Sequence, residues 1–301
     1  MMTPTLRFGL SRPERSSRWR SSRWRRRLVP AVPIAVLALF VLAAITAPLL
    51  TGYNPVRNQL IHSLEPPAWV EGGSSDHLLG TDGFGRDVLT RLLYGARVSF
   101  LVVIFSLATA VVIGVGVGIV AGYVGGRVDA LLMRVVDIFL ALPPLLVALV
   151  VAVVLGPSFR NLVLILGLLI WPNIARLIRG ETMVLMRRDF VEYPRAIGVP
   201  AWSILMRHIF PNILPTLLVA ATLEVANVIL TESSLSFLGA GLPAPAASWG
   251  VMVEDGRALI ATGWWVSLFP GIAILVTVLA FNSLGDCLRD RFDPKTRQAQ
   301  S

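Results

Sequence analysis

Apolar residues run through this chain in long blocks. They do not alternate as in a half-buried strand, nor do they form the narrow stripe of a water-facing helix. Six blocks, at 28–50, 98–122, 131–155, 160–178, 213–238 and 264–285, reach or approach the length of about 20 residues that a helix needs to cross a bilayer. Inside lipid every backbone donor and acceptor must be satisfied within the protein, so blocks of this length predict helices. The pattern predicts an all-α membrane protein with six transmembrane helices. The polar remainder divides the chain into a basic tail at 1–27, a first helix at 28–50, an external segment at 51–97, a core at 98–285 that contains a polar loop at 179–212, and a tail at 286–301.

Composition agrees with lipid as the solvent. The 301 residues are 55% hydrophobic and 15% charged, with a mean hydropathy of +0.71. A soluble domain averages about 45–50% apolar and 25% charged. The single cysteine, Cys287, excludes a disulfide framework or a cysteine-rich metal site. The net charge of +9 comes largely from nine arginines before residue 28, among them Arg18, Arg20, Arg23, Arg25, Arg26 and Arg27. They abut an apolar block and share the stretch with Trp19 and Trp24. This is the positive flank of a membrane helix and not a nucleic-acid surface. An apolar run of about 23 residues exceeds the 7–15 of a cleavable signal core, so an uncleaved anchor is expected. With both termini cytoplasmic, 21 of the 27 basic residues fall on the inner side, as the positive-inside rule demands.

Several features within the helices bear on packing. Gly114, Gly118 and Gly122 form overlapping G-x-x-x-G pairs, a spacing that admits a close helix neighbour. Pro143-Pro144 and Pro172 remove backbone donors and predict kinks. In the external segment, His77 to Val88 carries three glycines without the spacing of a phosphate loop, and is read as turn chemistry. His62, His77 and His208 lie scattered along the sequence, so no metal cluster is indicated.

The polar loop carries the sharpest local pattern. Asp189 and Glu192 have the spacing of a capping box, and Gly198 supplies a left-handed helix end. Pro200 suits the first position of a second short helix, which sets Trp202, Leu205 and Ile209 at helical spacing. Such a pair of helices serves either as a docking element for a cytoplasmic partner or as surface helices lying on the lipid interface. In the fifth span, Glu224, Asn227 and Glu232 are candidates for a substrate path, because acids inside a membrane are costly. A structural role for the two glutamates is the competing reading.

The stretch from Asp189 to Gly198, followed by His208-Ile209-Phe210-Pro211, resembles the "EAA" loop of bacterial ABC importer permeases. Three further stretches narrow the likeness to the dipeptide, oligopeptide and nickel class over about residues 75–295. They are Gly80-Thr81-Asp82 with Gly85-Arg86-Asp87, Ser234-Leu235-Ser236-Phe237-Leu238-Gly239, and Phe281-Asn282-Ser283-Leu284-Gly285-Asp286 running on to Leu288-Arg289-Asp290 and Asp293-Pro294. The resemblance implies a multi-pass permease subunit of the bacterial inner membrane that forms half of an import pore, with short peptides as the default solute. It implies partners: a second homologous permease, two ATP-binding subunits, an external solute-binding protein and membrane lipid. Glu192, Gly198, Trp202, His208 and Pro211 would couple the loop to the ATPase. The chain itself would bind no cofactor or metal and would catalyse nothing, ATP and magnesium residing on the partners. Its only lysine, Lys295, lacks the glycine loop of a nucleotide site.

One departure stands out. Tyr193 and Pro194 occupy positions where the family carries small residues, and proline inside a helix clashes with the carbonyl four residues back. The first loop helix is therefore expected to start late or to be distorted. Two rival functions are weighed. A secondary transporter or channel would need no docking loop and would favour an internal repeat, and a membrane enzyme would need a catalytic constellation. Neither the repeat nor the constellation is present in the sequence.

Overall fold

A computed structural model describes residues 31–243 and 245–292. The basic tail, the start of the first span and Asp293, Pro294 and Lys295 lie outside them. Among the described residues the fold is helical, with one isolated bridge between Thr81 and Asp87 as its only β pairing. In chain order the helices are α1 (Ala31–Leu50), α2 (Val88–Val124), α3 (Gly126–Ala141), α4 (Pro144–Leu155), α5 (Phe159–Leu185), α6 (Asp189–Ala196), α7 (Ala201–Ile204), α8 (Phe210–Phe237), α9 (Trp249–Arg257) and α10 (Trp265–Phe292). A π turn, Leu205–Ile209, joins α7 to α8.

Among the described residues, five helices are long and apolar enough to span a membrane: α1, α2, α5, α10 and the continuous rod Ala201–Phe237. The third expected span is a bent pair. α3 and α4 meet at 88° across Leu142-Pro143, where two successive prolines leave no donors to carry the helix ladder through. Pro172 in α5 and Pro215 in α8, by contrast, sit inside helices that continue past them. α2 also begins ten residues before the apolar block at 98, because Asp87 caps it, accepting from the Thr90 amide at 3.1 Å.

α5 is the most deeply embedded span, and α2 lies directly against it. A methyl group on Gly114 would meet Ile174 Cβ at 2.8 Å, one on Gly118 the Ala175 carbonyl at 2.7 Å, and one on Gly122 Thr182 Cβ at 2.7 Å. The glycine spacing thus brings two backbones together, and dispersion between them replaces contacts that lipid would otherwise make. At one end of the pair, Arg179 of α5 binds Asp129 of α3, donating to Oδ2 at 2.6 Å.

At the opposite end the segment before α2 folds onto α9 and α10. Asp82, 1% exposed, accepts from Arg86 Nε at 2.7 Å and Arg91 at 2.6 Å. Both arginines reach on to Asp255 of α9, at 3.1 and 2.8 Å. The Trp265 indole of α10 donates to the Thr81 carbonyl at 2.9 Å. Gly85, at φ +71°, passes so close to Gln59 that a Cβ would fall 1.8 Å from its carbonyl oxygen. The turn chemistry expected for 77–88 is present, and it also clamps three parts of the chain together.

Candidate functional site

The 186–209 segment lies at the Arg179 end of the bundle, where the Arg195 guanidinium sits 5.9 Å from the Tyr123 ring at the close of α2. α6 starts at Asp189 with Arg188 as its cap residue, so Asp189 is the first helical residue and not the capping side chain. Nor does the helix start late. Pro194 lies inside it, and in so short a helix its missing donor costs a single ladder bond. Gly198 ends the turn at φ +79°, and the Val199 amide closes it onto the Pro194 carbonyl at 3.0 Å. Pro200 occupies the N-cap position of α7 without a side-chain bond, one place before the first helical position expected of it.

These short helices have two chemically different faces. Val191, Ile204 and Ile209 are wholly buried against the bundle. Ile204 and Ile209, five residues apart, share that inner face through the π turn, in which the Phe210 amide bonds to the Leu205 carbonyl. The loop's most exposed apolar residues are Tyr193, Ile197 and Trp202, at 69, 81 and 69%. The stripe expected through Trp202, Leu205 and Ile209 is therefore corrected: Trp202 faces out, Leu205 is half-buried and Ile209 points in. Glu192, Gly198 and Pro211 are exposed, and the His208 ring is half-buried, 6.5 Å from Phe190. Among the described residues, neither Asp189, Glu192 nor Arg195 forms an ion pair.

The acids of α8 diverge. Glu224 is half-exposed and accepts from Asn227 at 3.1 Å, with Asn173 of α5 at 3.5 Å. Glu232 is 2% exposed and accepts from Ser248 at 2.8 Å and Ser236 at 3.0 Å. Ser248 in turn caps α9, so Glu232 positions the start of that helix. It lies sealed between helices. No sequence signal marked Asp82, Arg91 and Asp255 as one cluster, because 169 positions separate Arg86 from Asp255.

The histidines are not all scattered. His62 and His77 lie with ring centroids 5.6 Å apart, beside Glu65, while His208 stays at the far end.

Residues 114–298 match the family described as the binding-protein-dependent transport system inner membrane component. The chain is similar to the dipeptide transport system permease protein DppC of Escherichia coli (strain K12), with 46% identity over 280 residues and 93% of each chain covered. It is 39% identical to the di/tripeptide transport system permease protein DppC of Pseudomonas aeruginosa (strain UCBPP-PA14), covering 87% of each. With the dipeptide transport system permease protein DppC of Bacillus subtilis (strain 168) it shares 40% identity, covering 91% of this chain and 84% of that one. Among solved structures it superposes on a chain of the MetNI methionine ABC transporter in inward-facing conformations, with a TM-score of 0.56 and 18% identity, covering 67% of this chain and 97% of that one.

Proposed function

We propose a function from a plain premise: the chain belongs to the family of binding-protein-dependent transport system inner membrane components. It is a multi-pass permease subunit of an ABC importer. It forms half of the translocation pore with a second, homologous permease, and its solutes are short peptides, the class named for its curated relatives. Two ATP-binding subunits carry ATP and magnesium, and an external solute-binding protein delivers the peptide.

The arginine-rich end of the bundle faces the cytoplasm, with both termini on that side and six crossings, α3 and α4 counting as one. The loop from 189 to 211 is the coupling element, and its outward Tyr193, Ile197 and Trp202 carry the proposal. Apolar side chains on helices whose other face is anchored by Val191, Ile204 and Ile209 fit a groove on a partner protein. Glu192, Gly198, His208 and Pro211 complete the contact or shape it. From this loop the rod Ala201–Phe237 runs without a break past Glu232, which lies about 47 Å from its start at 1.5 Å per residue. A push on α7 thus reaches the far side of the membrane through one stiff helix. ATP binding shifts the pore between states because the ATPase grips this loop differently in each. Glu224 and Asn227 line the path, where a half-exposed carboxylate suits a peptide's amino group. Glu232 supports it by holding α9.

Reconstitution in liposomes tests this function. Uptake of a labelled dipeptide should require ATP, the ATPase pair, the second permease and the binding protein together. ATP-independent uptake by this chain alone would favour a secondary transporter.

A further inference from the structure

We propose that His62, Glu65 and His77 form a binding site for a divalent transition-metal ion of the zinc class, on the segment that joins α1 to α2. Each of the three offers one donor atom, and these atoms all lie within 4.8 Å of one another. Two imidazoles and a carboxylate are the donor set that zinc and its neighbours prefer. Bonds of about 2.0–2.2 Å place donors on a common ion roughly 3.4 Å apart. Closing the site therefore means drawing donors together by about 1.4 Å at most, a distance on the scale of side-chain rotation. The 2.6 Å contact between His62 Nδ1 and Glu65 Oε1 would open as both turn to the ion.

His77 supplies the second, independent observation. The residue is 4% exposed, and its Nδ1 has no hydrogen-bond partner. A buried polar atom left unpaired is expensive and needs a reason. Asp87 Oδ1 stands 3.5 Å away, too long for a good hydrogen bond yet one small ring rotation from it. A carboxylate behind a ligating histidine, receiving one ring N–H while the other nitrogen takes the ion, is the usual outer arrangement of such a site.

The frame is already rigid, and one pair of residues sets it. The Thr81 amide donates to the Glu65 carbonyl at 2.9 Å, and the Thr81 hydroxyl accepts from the Glu65 amide at 2.8 Å while donating to the His62 carbonyl. The Gly80 amide donates to the His77 carbonyl at 2.9 Å. All three donor residues thus hang on Gly80-Thr81. The Trp265 indole ties this pair to α10. The His62 side chain is 42% exposed, which leaves the site open to ions from solvent. A bound ion would staple the 62–65 turn to the 77–88 clamp and stiffen that face of the protein.

The test uses the full chain, purified through a histidine-free tag, placed in nanodiscs and stripped with a chelator. Calorimetry with zinc should show one saturable site, and cobalt should give the visible absorption of a low-coordinate N/O complex. His62→Ala and Glu65→Gln should each weaken zinc binding by at least the roughly tenfold that losing even an outer partner costs. Zinc should raise the melting temperature of the original protein and not of these two variants. His208→Ala, at the far end of the molecule, should leave zinc affinity unchanged. Should His77→Ala fail to fold, the half-exposed His62 and Glu65 still decide the matter. Absence of saturable zinc binding by the original protein, or binding retained in both variants, would overturn the proposal.

Discussion

The two ends of this molecule solve opposite problems. At the end formed by 51–87, α9 and the start of α10, Asp82, Arg86, Arg91 and Asp255 answer one another's charges, and three hydroxyls surround Glu232. At the other end the loop helices hold Tyr193, Ile197 and Trp202 out from the surface, with Glu192 unpaired among the described residues. The first end answers its own buried charges, although Leu60, Ile61 and Trp69 stay exposed there. On the function proposed, the second is complementary to a partner. Substitutions should therefore damage folding at the first end and communication at the second.

The largest loss of stability should follow Asp82→Ala. It leaves Arg86 and Arg91, the latter 1% exposed, to share the single carboxylate of Asp255, and breaking a buried pair from one side costs about 3–5 kcal/mol. Thermal unfolding in detergent should show it, together with a fall in folded yield. An unchanged melting curve would mean that the clamp is ornamental. Next comes Gly118→Val, which drives a branched side chain against the Ala175 carbonyl and should cost about 1–3 kcal/mol by overpacking α2 against α5. Glu232→Gln keeps an acceptor but weakens the bonds from Ser248 and Ser236, a loss of about 1 kcal/mol with α9 slightly looser in hydrogen exchange. Ile197→Ser, at the open end, should stay within about 0.5 kcal/mol of the original protein. A loss at Ile197 as large as that at Asp82 would erase the distinction between the two ends.

What the sequence made legible follows the range of each interaction. Apolar blocks declare spanning helices because the bilayer sets their length, so α1, α5 and α10 fall close to where the pattern places them. Pro143-Pro144 announces a break by local chemistry, but the 88° angle depends on what α3 and α4 pack against. Gly198 is readable as a left-handed end, since only its own backbone is involved. The inward turn of Ile209 is not readable, because the π turn adds a residue to the helical count. The Asp82 to Asp255 clamp and the meeting of His62 with His77 are made by distant chain segments, which local spacing cannot register.

The central claim is that the 189–211 loop passes the ATPase's closure to the pore. It is tested most directly by measuring ATP-driven peptide uptake and ATPase co-purification for Glu192→Lys and Gly198→Val. The first reverses an exposed charge. The second places a branched residue at φ +79° where no neighbouring atom lies within 4 Å of the new Cβ, so the strain is confined to the turn. The account predicts normal folded yield, intact external solute binding, and uptake lowered about tenfold or more through a detached or uncoupled ATPase, as a change of about 1.4 kcal/mol in coupling would give. Normal uptake by both variants with the ATPases firmly bound would contradict it.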